Sequence, residues 1–331
     1  MPPLVASVVF AGVGWLAWFG LEQVAAHLGA PSPQPTLDSV YVVLLMVQTG
    51  YFVTIMPVLR EAGRRCIEEL QPLLDGEDAS LQAMVARFSS PGGAVPAWAW
   101  LGGIAIGITL QEIQFQRLSA WFAAPAPALG EFWTVLAACS TWSAGMAAAT
   151  MVVGDALAMK RLGHKHVKVD LLRIDQTAAF SRYGVRLAGA IIGLAVAWAA
   201  CLVLISSLIG NPFTESSNQV GLLLVGIYLV VTIAVFVFPQ LGVRARIRDE
   251  KLRLHLQLSE SLADMGGARA LLEDDARHAT SVLANRTYIE SLPEWPARQH
   301  TPLRLTLFLL LPLLSWSAAA LVEEFISRLI A

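Results

Sequence analysis

Seven apolar runs, at approximately 4–27, 39–59, 97–117, 132–159, 186–209, 220–240 and 303–325, constrain this chain more than any other feature. A hydrocarbon core of roughly 30 Å is crossed by about 20 residues at the helical rise, and each run reaches that length. In lipid the backbone has no water to bond, so a spanning segment must be a helix or part of a closed barrel. Barrel strands alternate apolar and polar residues over about 10 positions. These runs show no such alternation. The expected fold is therefore an all-α integral membrane protein with seven transmembrane helices. Only 15% of residues are charged and the mean hydropathy is +0.59, whereas soluble domains carry about a quarter charged residues. The first run has no basic residue before Leu4 and outlasts the h-region of a signal peptide, so it is read as a retained span.

Charge placement tests the count independently, because cytosolic loops collect Lys and Arg near span ends. Segments 60–96, 160–186 and 244–304 hold 21 of the 23 basic residues. The intervening segments hold only Arg117 and Arg328, against Glu22, Asp38, Glu112, Glu131, Glu215, Glu323 and Glu324. A missed or spurious span would break that alternation. The reading places the N-terminus in the cytosol and the C-terminus outside, in a cell membrane. The Arg- and Ala-rich composition points to a bacterial inner membrane.

Three units follow. Residues 1–240 carry spans one to six, with short cytosolic helices at 60–96 and 160–186. Residues 241–296 form a cytosolic helical hairpin, and 297–331 hold the seventh span and an extracytoplasmic tail. Pro239 and Gly242 are expected to bend or end span six. The hairpin then turns at Gly266-Gly267, with Ile247, Leu254, Leu258 and Leu262 facing Ala276, Val282, Ile289 and Leu292. Its two stripes either pack on each other or, across 241–292, engage a second copy or a protein partner. Loop 60–96 continues span two as a helix through Leu74. A short amphipathic segment with Leu81, Met84, Val85 and Phe88 then suits the membrane surface. Segment 160–186 sets seven basic groups beside Leu171, Phe180 and Tyr183, which suits contact with anionic lipid headgroups.

Chemical motifs are sparse. Glu323-Glu324-Phe325-Ile326-Ser327-Arg328 resembles the EExxxR signature of the CAAX-protease-like membrane metalloproteases. That family needs histidines in later spans and none follows Arg328, so the pair reads as a solvated helix end. His164 and His166, two residues apart with Asp170 behind them, match no helical face and read as a solvated loop rather than a metal site. Cys66, Cys139 and Cys201 form no CxxC and read as ordinary thiols. Phosphate-binding glycine loops, GxSxG and HExxH do not occur, and no cofactor or catalytic constellation is expected. A net charge of −2 and the lack of an aromatic-basic module argue against nucleic acid.

Polar residues inside spans are the default functional markers of a membrane protein, because hydrocarbon penalises them unless they face protein or water. Gln48 and Tyr51 interrupt span two, Gln111 and Glu112 follow only about 16 apolar residues of span three, and Thr141 and Asp155 lie in span four. These six are the candidate conduit or ligand-facing residues, with helix packing as the competing explanation. Three functions remain open at this point. The first is a channel or transporter for ions or small solutes, and the second a membrane-anchored scaffold or sensor acting through the hairpin. The third is a lipid-modifying membrane enzyme.

Overall fold

The computed structural model describes residues 3–27, 37–75, 78–89, 95–115, 129–209, 215–264 and 276–296, with Thr306 and Leu310. The seventh apolar run and the Gly266-Gly267 turn lie outside the described residues. The chain is helical, and no strand occurs among the described residues. The helices are α1 (Pro3–His27), α2 (Leu37–Leu70), α3 (Ala79–Ser89), α4 (Ala97–Phe115), α5 (Leu129–Lys165), α6 (Ala178–Ile209), α7 (Glu215–Asp264) and α8 (Ala276–Ser291). Among the described residues three stretches are long and apolar enough to cross a membrane: Tyr41–Leu73, Phe132–Lys165 and Gly226–Ser261. Apolar side chains on the outside fit a lipid solvent. α1 turns Val8, Val13 and Leu16 outward and packs Ala11 and Trp18 inward.

Small residues let the helices close on one another, the usual device where lipid removes the hydrophobic drive between helices. α4 runs antiparallel to α5. A Cβ added at Gly103 would stand 2.6 Å from the Ser143 backbone nitrogen, and one at Gly107 would stand 2.8 Å from the Cys139 Cα. Tyr51 of α2 donates to the Ala190 carbonyl of α6 at 2.6 Å, while Cys66, further along α2, reaches back to Ala179. Those two helices are therefore also antiparallel.

One end of the bundle carries most of its buried mass. Leu59, Leu70, Phe88, Met159, Leu162, Phe180, Tyr183 and Ile247 form a continuous core there, drawn from α2, α3, α5, α6 and α7. This is the basic end. A smaller cluster of Trp18, Val42, Leu45, Met46, Ala137 and Ala138 ties α1, α2 and α5 toward the other end.

Local stops agree with chemistry. α2 runs to Leu70, one 3-10 turn with Pro72 follows at Gln71–Leu73, and Leu74 is extended (φ −78°, ψ 132°). The extended segment is pinned to the end of α5: the Asp75 N–H donates to the His166 carbonyl and the Lys168 N–H to the Leu73 carbonyl, each at 2.8 Å. Pro239, by contrast, does not end its helix. α7 continues through it to Asp264, and the buried Gln240 side chain donates to the Phe236 carbonyl at 2.9 Å. A Cβ at Gly242 would overlap the Lys160 carbonyl, so the Pro239–Gly242 region is where α7 closes on α5.

Two amphipathic segments bury their apolar side against protein. In α3, Leu81 and Phe88 enter the basic-end core, and Phe88 meets Tyr183 edge-on at a centroid distance of 6.2 Å. In segment 160–186, Leu171, Phe180 and Tyr183 enter the same core, while Arg161, Lys165, Lys168, Arg182 and Arg186 stay outward. Periodicity gave the helical face correctly, but a neighbouring bundle competes with lipid for it. α8 lies on α7. Lys251 donates to the Glu290 carbonyl at 3.5 Å and to the Leu292 carbonyl, and Arg244 stacks over Trp295 at 4.4 Å.

Candidate functional site

The most concentrated polar chemistry lies at the basic end, around Asp155. Its carboxylate is fully buried in α5. Arg87 of α3 donates from Nε to Oδ1 at 3.0 Å, and Arg60 of α2 places Nη1 3.6 Å from the same oxygen. Tyr183 of α6 directs its hydroxyl to Oδ2 at 3.5 Å. Arg60 Nη1 also donates to the Arg87 carbonyl at 2.8 Å, fixing α3 to α2. Four helices thus meet at one carboxylate.

The local sequence explains this convergence. Arg60 follows the apolar part of α2, and its side chain is buried with its head held by Asp155 and the Arg87 carbonyl. Arg87 sits one position before Phe88 on α3, and Phe88 buries next to Tyr183. Gly154 precedes Asp155, and a Cβ there would collide with the Arg87 guanidinium. A buried carboxylate needs such partners, because an uncompensated charge in a low dielectric is costly.

The other candidates are distributed along the bundle. The Thr141 hydroxyl lies 2.8 Å from the Thr49 hydroxyl and within hydrogen-bond reach of the Leu45 and Ala137 carbonyls, so both hydroxyls sit in the α2–α5 contact. Gln48, beside Thr49, is half-buried. The Gln111 side-chain amide donates to the Tyr41 hydroxyl at 2.9 Å; Gln111 is 1% exposed and its Oε1 has no partner among the described residues. Glu112 next to it is half-buried. Tyr41 and Arg60 are 19 positions apart on α2, so the Gln111 and Asp155 groups are separated by roughly 28 Å. Tyr51 lies between them, bonded to α6.

A cleft of about 890 Å³ opens between α2 and α6. Tyr51, Thr54, Ile55 and Val58 of α2 and Gly189 and Ala190 of α6 line its apolar part, and Glu61, Arg65 and Arg186 are its charged lining residues. Of the six candidates it touches Tyr51 alone. Among the described residues no group of three His, Cys, Asp or Glu side chains is placed to hold a metal. His166 is buried against Ser80, with Nε2 3.2 Å from the Ser80 hydroxyl, while His164 faces outward.

Arg60, Arg87 and Tyr183 were not among the sequence candidates. Loop topology already accounts for the charges of Arg60 and Arg87, and no spacing rule links positions 60, 87, 155 and 183. The one available signal was Asp155 itself, an acid at the end of an apolar helix, which calls for cations from elsewhere in the chain. Compared with protein-family models, with curated proteins and with solved structures, the chain matches none.

Proposed function

We propose that the chain is a multi-pass protein of the bacterial inner membrane, seven spans with the N-terminus in the cytosol, and that it works as a membrane-anchored interaction protein through its α7–α8 arm. The observation that carries this reading is the length of α7. Its 50 residues make about 75 Å of helix, against a hydrocarbon core of roughly 30 Å. The stretch after Gln240 alone projects roughly 36 Å. α8 braces that projection through Lys251. Leu252 and Leu256, one turn apart, remain 61% and 58% exposed, and Tyr288 on α8 is exposed as well. An apolar stripe on an arm outside the lipid is the feature by which one helix engages another. The antiparallel helix pairs and the concentration of basic residues at one end support the topology.

The test reads association directly. The purified chain, reconstituted in vesicles, is crosslinked with and without the paired substitution Leu252→Glu and Leu256→Glu. Loss of crosslinked oligomers with unchanged helix content supports the arm as a self-association surface, and undiminished oligomers sink it. Reporter fusions in the loops read the topology. A conduit for ions or small solutes is the second reading, favoured by the cleft that reaches Tyr51. Solute flux through wild-type vesicles that Tyr51→Phe alters would install it in place of the first.

A further inference from the structure

We infer that the cleft between α2 and α6 seats an anionic phospholipid, one acyl chain along its apolar depth and the phosphate at Arg65 and Arg186. Four observations converge. Along the α2 wall runs a helical stripe, Tyr51, Thr54, Val58, Glu61 and Arg65 at three- and four-residue steps, with Val53, Ile55, Pro57, Leu59 and Ala62 beside it. From Tyr51 to Arg65 that stripe spans about 21 Å, the depth of one leaflet with its headgroup region. The cleft is polarised along this length. Val53 and Val58 toward the bilayer are exposed aliphatics, whereas every charged lining residue is at the basic end.

Charge selects the headgroup. Glu61 accepts from Arg64 Nε and Nη2, both at 2.9 Å, and from Arg65 Nε at 2.7 Å, so its carboxylate is already satisfied. Arg182, one turn before Arg186, is taken by Glu69. Arg186 is exposed and has no ion-pair partner among the described residues. The mouth therefore carries a net positive charge with one guanidinium open to a phosphate, the geometry Arg favours. Volume admits the occupant: the cleft offers about 890 Å³, room for an acyl chain along its length.

Gly189 lines the cleft, and a Cβ there would meet nothing within 4 Å. Gly189→Leu should thus fill the groove without displacing a neighbour. The experiment titrates fluorescent-chain phosphatidylglycerol into the detergent-solubilised full chain, with the equivalent phosphatidylcholine as the neutral probe. Wild type should prefer phosphatidylglycerol, and Gly189→Leu should lose binding with its circular dichroism unchanged. Arg186→Gln should weaken binding about five-fold, the effect of one basic group near an anionic headgroup, and Arg186→Lys should recover most of it. Arg161→Gln, an exposed cation of the same basic segment outside the cleft, should leave affinity unchanged. Inorganic phosphate alone should not displace the lipid. Equal binding of the two lipids, indifference to Gly189→Leu, or equal losses from Arg186→Gln and Arg161→Gln would each overturn the assignment. If Gly189→Leu does not fold, the comparison of Arg186→Gln with Arg161→Gln decides.

Discussion

Replacing Asp155 by Asn keeps the shape of the side chain and removes its charge, which isolates the electrostatic part of the four-helix junction. Breaking a buried ion pair by removing one partner costs about 3–5 kcal/mol, because the surviving charge stays desolvated. Here the survivors differ. The Arg60 side chain is 9% exposed and holds position through the Arg87 carbonyl, whereas the Arg87 side chain is 41% exposed. Water screens Arg87, so its share falls to the order of 1 kcal/mol. Asp155→Asn should therefore cost about 3 kcal/mol, the low end of the range, a shift on the order of a hundredfold in the folding equilibrium.

The same reasoning orders the partners. Arg60→Ala should destabilise nearly as much as Asp155→Asn, since it leaves the buried carboxylate with one screened cation. Arg87→Ala should cost least. Phe88 and Leu81 still hold α3 in the core. Combining Asp155→Asn with Arg60→Met should cost less than the sum of the two, because no buried charge is then left alone. Reversible unfolding in mixed micelles, followed by the fluorescence of the ten tryptophans, measures the series. An Asp155→Asn cost under about 1 kcal/mol, or an Arg87→Ala cost above that of Arg60→Ala, would refute a desolvated pair as the source of the effect.

Two further outcomes follow from packing. Gly103→Leu should cost more than about 3 kcal/mol, the upper end for ordinary overpacking, because the obstruction is the backbone of α5. Gly102→Leu, whose Cβ would meet nothing within 4 Å, should be tolerated, and equal melting temperatures for the pair would contradict the close α4–α5 contact. Cys66 is 5% exposed and directs its Sγ at the Ala179 carbonyl, so in a chain lacking the other two cysteines it should resist maleimide until detergent unfolds the protein. Rapid labelling in intact vesicles would contradict the buried α2–α6 seam.

How far the sequence discloses this architecture depends on which force shapes each part. Lipid acts on every residue of a span in the same way, so its demand is written as composition over about 20 positions and can be read without knowing any neighbour. Helices α1, α2, α4, α5 and α6 each begin or end within a few residues of an apolar run, except where the helix continues beyond it. Those continuations are governed by short-range stops. Pro72 ended α2 as its chemistry requires, while Pro239 did not end α7, since the surrounding bundle holds the helix through it.

The junction at Asp155 and the cleft beside Tyr51 belong to a different category, because each depends on which helix stands next to which. The hydrophobic period of α3 marks Leu81, Met84, Val85 and Phe88 as one face whether that face meets lipid or protein. Only the positions of Tyr183 and Arg60 decide that it meets protein. Likewise Gly103 and Gly189 look alike in the sequence, each a glycine in an apolar run. One lies against a helix backbone where a side chain would break the fold, and the other opens a space where a side chain would close a site. Small residues in membrane helices thus carry two opposite instructions, approach and vacancy. The pair Gly103→Leu and Gly189→Leu separates them: the first should lower stability, and the second should lower lipid affinity while stability holds.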